Sequence, residues 1–185
     1  MAKIKGMAIR GALKFVKESR YPGGIAAVVD ALPADVQPVF EKRILTGDWY
    51  PYEAYGALLT VIDRELGRGD LSLMPQLGHF AIRQDASTVL RIISIFASVK
   101  HLVGKSGMFW SRYCDTGRFT DVETGDRNSI MVLQGFPTIA PQHCHLLCGW
   151  LEGLALAVGA RSAKVVQTRC VHRGDAECRY EGSWA

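Results

Sequence analysis

The sequence predicts a single α+β domain in which a helical N-terminal half packs on an antiparallel sheet. Apolar residues recur with helical spacing over residues 1–103, whereas short runs bounded by turn residues fill 104–185. The 185 residues, 48 % hydrophobic and 22 % charged, suffice for one ordinary globular domain with its own core. Because no linker, repeat or low-complexity tract interrupts the chain, residues 1–185 are expected to form one domain.

Helical patterns account for the first half in chain order. A first helix carries Ile9, Leu13 and Val16 on one face and ends before the Tyr21-Pro22-Gly23-Gly24 turn. Further helices are expected over Ile25–Ala31, Val36–Ile44, Tyr55–Leu66, Leu73–Ile82 and Thr88–Val103. The last of these is apolar on nearly every side, which predicts a helix in the middle of the domain.

Turn signals divide the second half into strands. Met108–Cys114, Phe119–Glu123 and Ser129–Gln134 are separated by Thr116-Gly117 and Thr124-Gly125-Asp126, a pattern typical of a three-stranded antiparallel meander. One more helix is expected from about Pro141 to Val158. A C-terminal hairpin of Ala163–His172 and Ala176–Trp184 completes the predicted sheet.

The net charge of +4 is concentrated at the N-terminus. Residues 1–20 contain one acidic residue and six basic ones: Lys3, Lys5, Arg10, Lys14, Lys17 and Arg20. Such a helix could dock on an anionic membrane surface or an acidic partner, but a solvated, lysine-rich outer face is the favoured explanation. Nucleic acid is not expected, because no recognition helix or long basic stripe follows. The lysines also interrupt any secretory signal, and five cysteines, an odd number, predict reduced thiols in a cytoplasm.

Four cysteines lie close to the C-terminus. Cys144 and Cys148 share the core-facing side of the last predicted helix. Cys170 and Cys178 flank the hairpin turn; a three-residue loop places them opposite each other, whereas a two-residue loop places them on opposite faces. These four thiols could hold zinc tetrahedrally, or they could be buried free cysteines that pack as small hydrophobic residues.

The histidines and glycine loops give no catalytic pattern. His143 and His145 flank Cys144, but neighbouring helical residues point about 100° apart, which argues against a Cys–His nucleophile. His79 and His101 are candidate haem ligands or pocket hydrogen-bonders, or ordinary surface histidines. No nucleotide is expected, because the glycine loops at 67–69 and 104–106 do not follow a strand in a βα unit.

Several motifs together resemble a known superfamily. They are Leu66-Gly67-Arg68-Gly69-Asp70, Gly149-x-x-Glu152-Gly153, and Cys170-x₇-Cys178 around His172-x-Gly174-Asp175-x-x-Cys178-x-Tyr180, with Trp184 at the end. The chain resembles the 4-vinyl reductase domain, TRAPP vesicle-tethering subunits and, more distantly, haem–nitric-oxide-binding domains. The nearest resemblance is to uncharacterised myxobacterial proteins of similar length.

The resemblance implies a bacterial α+β domain, often dimeric, with an apolar pocket. The vinyl-reductase activity in the family name is not carried over, because the sequence has no cofactor fingerprint or acid–base constellation. In phenol-sensing activators of this family, a zinc ion is held by Cys, Glu, Cys and Cys. By position, Cys144, Cys170 and Cys178 match the thiols, and Gln167 stands where the carboxylate would be. Gln167 also lies on the face opposite Cys170 unless a bulge intervenes, so Cys148 is the candidate fourth ligand. No haem is expected, because Ser111-Arg112-Tyr113 does not fit the Tyr-x-Ser-x-Arg motif of the haem relatives.

The resulting interpretation is a non-enzymatic sensory domain that binds a small apolar ligand between helices and sheet. The candidate lining residues are Phe109, Trp110, Tyr113, Phe136 and Trp150, with His79, His101 or Arg112 as polar anchors. A protein-interaction module with a filled core, using the basic first helix or an exposed strand edge, is the alternative. A third hypothesis is a small enzyme, for which the sequence indicates no substrate.

Overall fold

The computed structural model describes residues 1–84, 98–136 and 138–185. Its helices are α1 (Gly6–Glu18), α2 (Gly24–Asp30), α3 (Tyr52–Leu66), α4 (Met74–Gln84), α5 (Val99–Val103), α6 (Ser106–Tyr113) and α7 (Pro141–Ala157). Its strands are β1 (Lys3–Lys5), β2 (Trp49–Pro51), β3 (Arg118–Thr124), β4 (Asn128–Gln134), β5 (Ala163–Arg169) and β6 (Cys178–Trp184). Short 3₁₀ helices cover Gln37–Val39 and Val171–Arg173. Within these ranges no helix is long and apolar enough to cross a membrane.

The main sheet has the strand order β3-β4-β6-β5, and every neighbouring pair is antiparallel. It consists of two hairpins joined at the β4–β6 pair, with α7 connecting them. Helices α5, α6 and α7 pack against this sheet, and α4 packs on α7. The predicted α+β class, a helical N-terminal half on an antiparallel sheet, is confirmed.

Two predicted elements were wrong. Residues 108–114 were expected to be a strand, but Ser106–Tyr113 form α6, and the meander is reduced to the β3–β4 hairpin. The aromatic residues suggested a strand, yet the buried positions Ser106, Phe109 and Trp110 follow helical spacing. The helix expected over 36–44 is only a 3₁₀ turn at Gln37–Val39. Most of the helix expected over 88–103 lies outside the described residues, and its last five residues form α5.

The N-terminus contributes to the core through a small sheet that no sequence pattern predicted. Strand β1 pairs antiparallel with β2, with Ile4 opposite Tyr50. Ile4 is 1 % exposed, and it forms an isolated antiparallel bridge with Cys114 at the end of α6. One continuous core therefore joins the helical half to the sheet half.

Two glycines allow α4 and α7 to meet backbone to backbone. A Cβ on Gly149 would lie 1.9 Å from the carbonyl oxygen of Pro75, and a Cβ on Gly78 would lie 2.2 Å from that of Leu146. Any larger residue at either position would push the helices apart. This close crossing fixes α7, which carries the residues of the candidate site.

Candidate functional site

A large cavity lies between α1 and the helices α3, α4, α6 and α7. Its volume is about 870 Å³, which falls in the range of small-molecule and cofactor sites. Its apolar wall includes Ile4, Ala12, Leu77, Leu146 and Leu147. The cavity is therefore suited to a bulky apolar ligand.

The mouth of this large cavity is strongly basic. Five exposed cations line it, from α1 and from the loop before β2: Arg10, Lys14, Lys17, Lys42 and Arg43. Among the described residues of its wall, Glu18 is the one carboxylate, and it pairs with Lys14 at 3.7 Å. An apolar interior below a cationic mouth suits a ligand with an apolar body and one or more acidic groups.

His143 on α7 is the one described histidine in the wall of the large cavity. Its Nδ1 shares a hydrogen bond of 3.0 Å with the hydroxyl of Tyr52, which also accepts a bond from the Ala140 N–H at 2.9 Å. Burial lowers the pKa of His143 to about 3, so the ring is neutral at neutral pH. With Nδ1 occupied, Nε2 is the ring nitrogen left for a ligand.

Aromatic rings hold the His143 imidazole in place. It stacks on Tyr52 and on Trp110 with centroid distances of 5.7 and 5.8 Å, and the Tyr55 ring lies perpendicular to it with centroids 5.3 Å apart. In the sequence, His143 stands out only as a neighbour of Cys144. Its ring partners come from α3 and α6, far away in sequence, so no local pattern could have predicted this arrangement.

A second, small cavity lies between the inner face of the sheet and helices α5, α6 and α7. It has a volume of about 50 Å³ and an almost entirely apolar lining. Trp110, Leu147 and Trp150 line both cavities and so separate them.

Four of the eight predicted ligand-binding residues line one or both cavities. Trp110 and Trp150 line both, Phe109 lines the small cavity, and Tyr113 lines the large one. Phe136 packs in the core against Tyr52, with ring centroids 4.6 Å apart. Like Phe136, three other predicted residues lie outside both linings: His79, Arg112 and His101. A ligand contact for any of these side chains stays a prediction.

His79 belongs instead to a polar link between three elements. Its Nε2 lies 2.8 Å from Glu152 Oε2, and Glu152 Oε1 accepts a 2.8 Å bond from the backbone N–H of Val165 on β5. The Lys164 ammonium is 3.5 Å from the same oxygen. Glu152 is 8 % exposed, so α7 is joined to α4 and to β5 by a nearly buried carboxylate.

Removing this carboxylate should destabilise the fold. Glu152→Ala leaves the buried Val165 N–H without its acceptor and His79 without its partner, which is expected to cost about 2 kcal/mol. Urea unfolding followed by circular dichroism measures the change. Glu123→Ala, at an exposed position on β3, is the matched control and should stay close to wild type. Equal stability of the two variants would contradict the structural role of Glu152.

Three of the predicted metal ligands meet beneath the sheet. The Sγ atoms of Cys144, Cys170 and Cys178 all lie within 4.8 Å of one another, and the three residues are buried. The Cys144–Cys178 distance is 3.8 Å; two thiolates of a tetrahedral zinc site, with Zn–S bonds of about 2.3 Å, are about 3.8 Å apart. Cys148 lies outside this cluster, with its Sγ 4.0 Å from the carbonyl oxygen of Cys144. Cys114 lies elsewhere, beside Ile4.

The chain geometry explains why these thiols converge. The turn after β5 is a 3₁₀ helix closed by Gly174 with a φ of 88°, and the Cys170 N–H donates to Asp175 at 2.8 Å. A register shift lies between Gln167 and Arg169, which is a bulge of the type considered for this strand from its sequence. Gln167 donates to the Tyr180 hydroxyl at 3.3 Å, and its side chain also hydrogen-bonds Cys144 at the edge of the cluster.

The electrostatics of the cluster favour one thiolate. A hydrogen bond from Cys144 lowers the pKa of Cys178 to about 6. The same interaction raises the pKa of Cys144, and burial raises that of Cys170. A cation that binds the cluster would draw the remaining protons off.

Comparison with solved structures identifies the fold. An H-NOX protein from S. oneidensis in the Fe(II)NO ligation state matches with a TM-score of 0.75 and 13 % identity, covering 98 % of this chain and 99 % of that one. The Fe(II) unliganded H-NOX protein from K. algicida gives 0.73 and 11 %, covering 98 % and 97 %, and a mutant of that protein in the same state gives 0.76 and 10 %. No family model and no curated protein matches the sequence.

A partial match is more distant. The phenol-responsive sensory domain of the transcription activator PoxR, with phenol, has a TM-score of 0.56 and 17 % identity. It covers 73 % of this chain and 75 % of that one. The three H-NOX matches thus each cover 98 % of this chain, whereas the PoxR match covers 73 %.

These matches correct two expectations. The main resemblance, to 4-vinyl reductase domains and TRAPP subunits, was wrong; the more distant relation to haem–nitric-oxide-binding domains is the one that the structures fit. The expectation of no haem is contradicted as well. It rested on the absence of one motif, whereas the solved proteins that share the fold include Fe(II) forms and one studied for heme distortion. Over nearly its whole length, this chain has the fold of the H-NOX proteins.

Proposed function

We propose that this chain is a sensory domain that binds haem in the large cavity. The observation that carries the proposal is the neutral imidazole of His143, held at Nδ1 by Tyr52, in the wall of an apolar cavity of about 870 Å³. Haem needs a nitrogen, sulfur or phenolate ligand from the protein and an apolar pocket for its ring. The fold agrees, since H-NOX structures of iron-containing proteins match nearly the whole chain.

Different residues of the large cavity would contact different parts of the haem. The apolar wall would exclude water from the ring, and the cations at the mouth, Arg10 and Arg43 among them, would attract its carboxylates. His143 would hold the haem iron, with its imidazole oriented by Tyr52 and by the stacked Trp110. When bound, haem supplies an iron site for a small gaseous molecule.

Haem uptake tests the proposal directly. Apoprotein mixed with haemin and passed over a desalting column should retain a Soret absorption band at about one haem per chain. His143→Ala should bind haemin at least tenfold more weakly, because it removes the only described histidine in the cavity wall. His101→Ala, whose imidazole lies outside both cavity linings, is the control and should keep the band.

Two results would reject this assignment. Wild-type protein that retains no haemin would show that the cavity is not a haem site. Loss of the band in His101→Ala with retention in His143→Ala would place the ligand on α5 instead.

We also propose that the small helix–sheet cavity takes a small apolar ligand, as expected from the sequence. Phe109, Trp110 and Trp150 line it, and the PoxR domain, which shares part of the fold, was solved with phenol. The interaction-module hypothesis assumed a filled core, whereas two cavities favour ligand binding. Dimer formation and a membrane role for residues 1–20 stay predictions.

A structural zinc ion on Cys144, Cys170 and Cys178 is the third part of the proposal. The sulfur separations support it, and so does the lowered pKa of the Cys178 thiol. All five cysteines of the chain are free, which fits a reducing compartment such as the cytoplasm. Elemental analysis of the wild-type protein and of its cysteine variants tests the zinc site.

A further inference from the structure

The hydroxyl of Ser129 on β4 finds no hydrogen-bond partner among the described residues. Ser129 is 3 % exposed, and its Oγ is one of three buried side-chain polar atoms in the described part of the chain that lack a partner. Leaving a buried hydroxyl unsatisfied is costly, so such a group in a native fold calls for a reason. Ser129 lines the small cavity, which points to an occupant as that reason.

The space beside this hydroxyl is kept open by a glycine. Gly182 on β6 also lines the small cavity, and a Cβ there would lie 3.4 Å from Ser129 Oγ, 3.6 Å from Val165 Cγ2 and 3.8 Å from Met131 Cε. These are ordinary contact distances, so alanine would fit without displacing the strand. A strand interior disfavours glycine, and one found there often marks a site where a ligand approaches closely.

We infer that Ser129 and Gly182 define the ligand of the small cavity: a neutral molecule of about three to five non-hydrogen atoms, mostly apolar, with one hydrogen-bonding group. The inference rests on the proposed small-ligand site. The cavity of about 50 Å³ holds roughly four water-sized spheres, since one water needs about 10–15 Å³. Its largely apolar lining excludes ions. Three serines line it, Ser106, Ser129 and Ser183, and Ser129 is the one among them with a buried hydroxyl that lacks a partner.

Ligand binding in the small cavity is tested on apoprotein without haem, so that the result does not depend on the large cavity. With methyl-labelled methionine, the Met131 signal in NMR spectra reports on occupancy of the small cavity. Xenon probes the apolar space alone, and 1-propanol probes the space together with the hydroxyl. Both should shift the Met131 methyl signal in a saturable way.

The two positions can be separated by substitution. Ser129→Ala should keep xenon binding and weaken 1-propanol binding roughly two- to tenfold, the loss of one hydrogen bond. Gly182→Ala should fill much of the space and weaken both probes at least tenfold. Gly47→Ala, in a loop where a Cβ meets nothing within 4 Å, is the matched glycine control and should bind both probes like wild type.

Each contrary outcome has a definite meaning. Wild-type protein that binds neither probe would overturn the small-ligand site itself, together with this inference. Xenon binding with equal 1-propanol affinity in wild type and Ser129→Ala would leave the site in place but reject the hydroxyl as its anchor, with water alone satisfying Ser129. Haem uptake is measured separately, so its failure leaves this test intact.

Discussion

Gly149→Ala is expected to lower the stability of the domain by about 3 kcal/mol, the upper range for forcing extra atoms into a packed interior. The new methyl carbon would stand 1.9 Å from the Pro75 carbonyl oxygen and 2.6 Å from the carbonyl carbon. Both obstacles are backbone atoms of α4, so no side-chain rotation relieves the clash and the helices must separate. In a domain of this size the loss corresponds to a fall in Tm of about 6–12 °C, which differential scanning calorimetry measures.

Gly11→Ala is the matched control for this change. Gly11 lies inside α1, and a Cβ there meets nothing within 4 Å. Alanine should therefore stabilise the helix by up to about 1 kcal/mol and raise the Tm slightly. If Gly149→Ala melted at or above the wild-type temperature, the close crossing of α4 and α7 would be wrong. The crossing would then not be what positions His143, Cys144 and Glu152 on α7.

Most helices and strands could be predicted from local patterns. The apolar stripe of α3 and the short apolar run of β4 depend only on neighbouring residues, so the sequence carries them directly. Helix α6 could not be assigned this way, because Phe109 and Trp110 suit a strand as well as a helix, and packing on β3 decides between them. Strand β1 needs its partner β2, which is more than forty residues away.

The candidate site also combines features that local sequence patterns predict with features that only packing decides. The sequence could suggest that Cys170 and Cys178 meet, because a three-residue hairpin loop is one of the two arrangements it allows. In the structure the connection is longer, since β5 ends at Arg169 and β6 begins at Cys178, and a register shift in β5 adjusts the pairing. The surroundings of His143 could not be foreseen, because Tyr52 and Trp110 reach it from other helices. The orphaned hydroxyl of Ser129 is likewise a property of packing: nothing in the β4 sequence distinguishes a serine with a partner from one without.

The cysteine cluster leads to an all-or-none prediction. Elemental analysis of native protein should give close to one zinc per chain, and Cys170→Ser and Cys178→Ser should each lose it. The reason is geometric: with Cys148 outside the cluster, three sulfurs within 4.8 Å leave no spare thiolate to replace a missing one. Because zinc that binds only the folded state stabilises it, both variants should also melt well below wild type.

Cys114→Ser separates loss of zinc from the general effect of a buried Cys→Ser change. Cys114 is as buried as Cys178, 2 % against 1 % exposed, but lies beside Ile4 and outside the cluster. It should keep its zinc even where it loses stability. Full zinc in Cys178→Ser would exclude the three-thiol site. Wild-type protein could instead contain no metal, with thiols that titrate freely only under denaturant. That result would show that these cysteines are core residues. The geometry of the cluster would then come from packing of α7 on the hairpin alone.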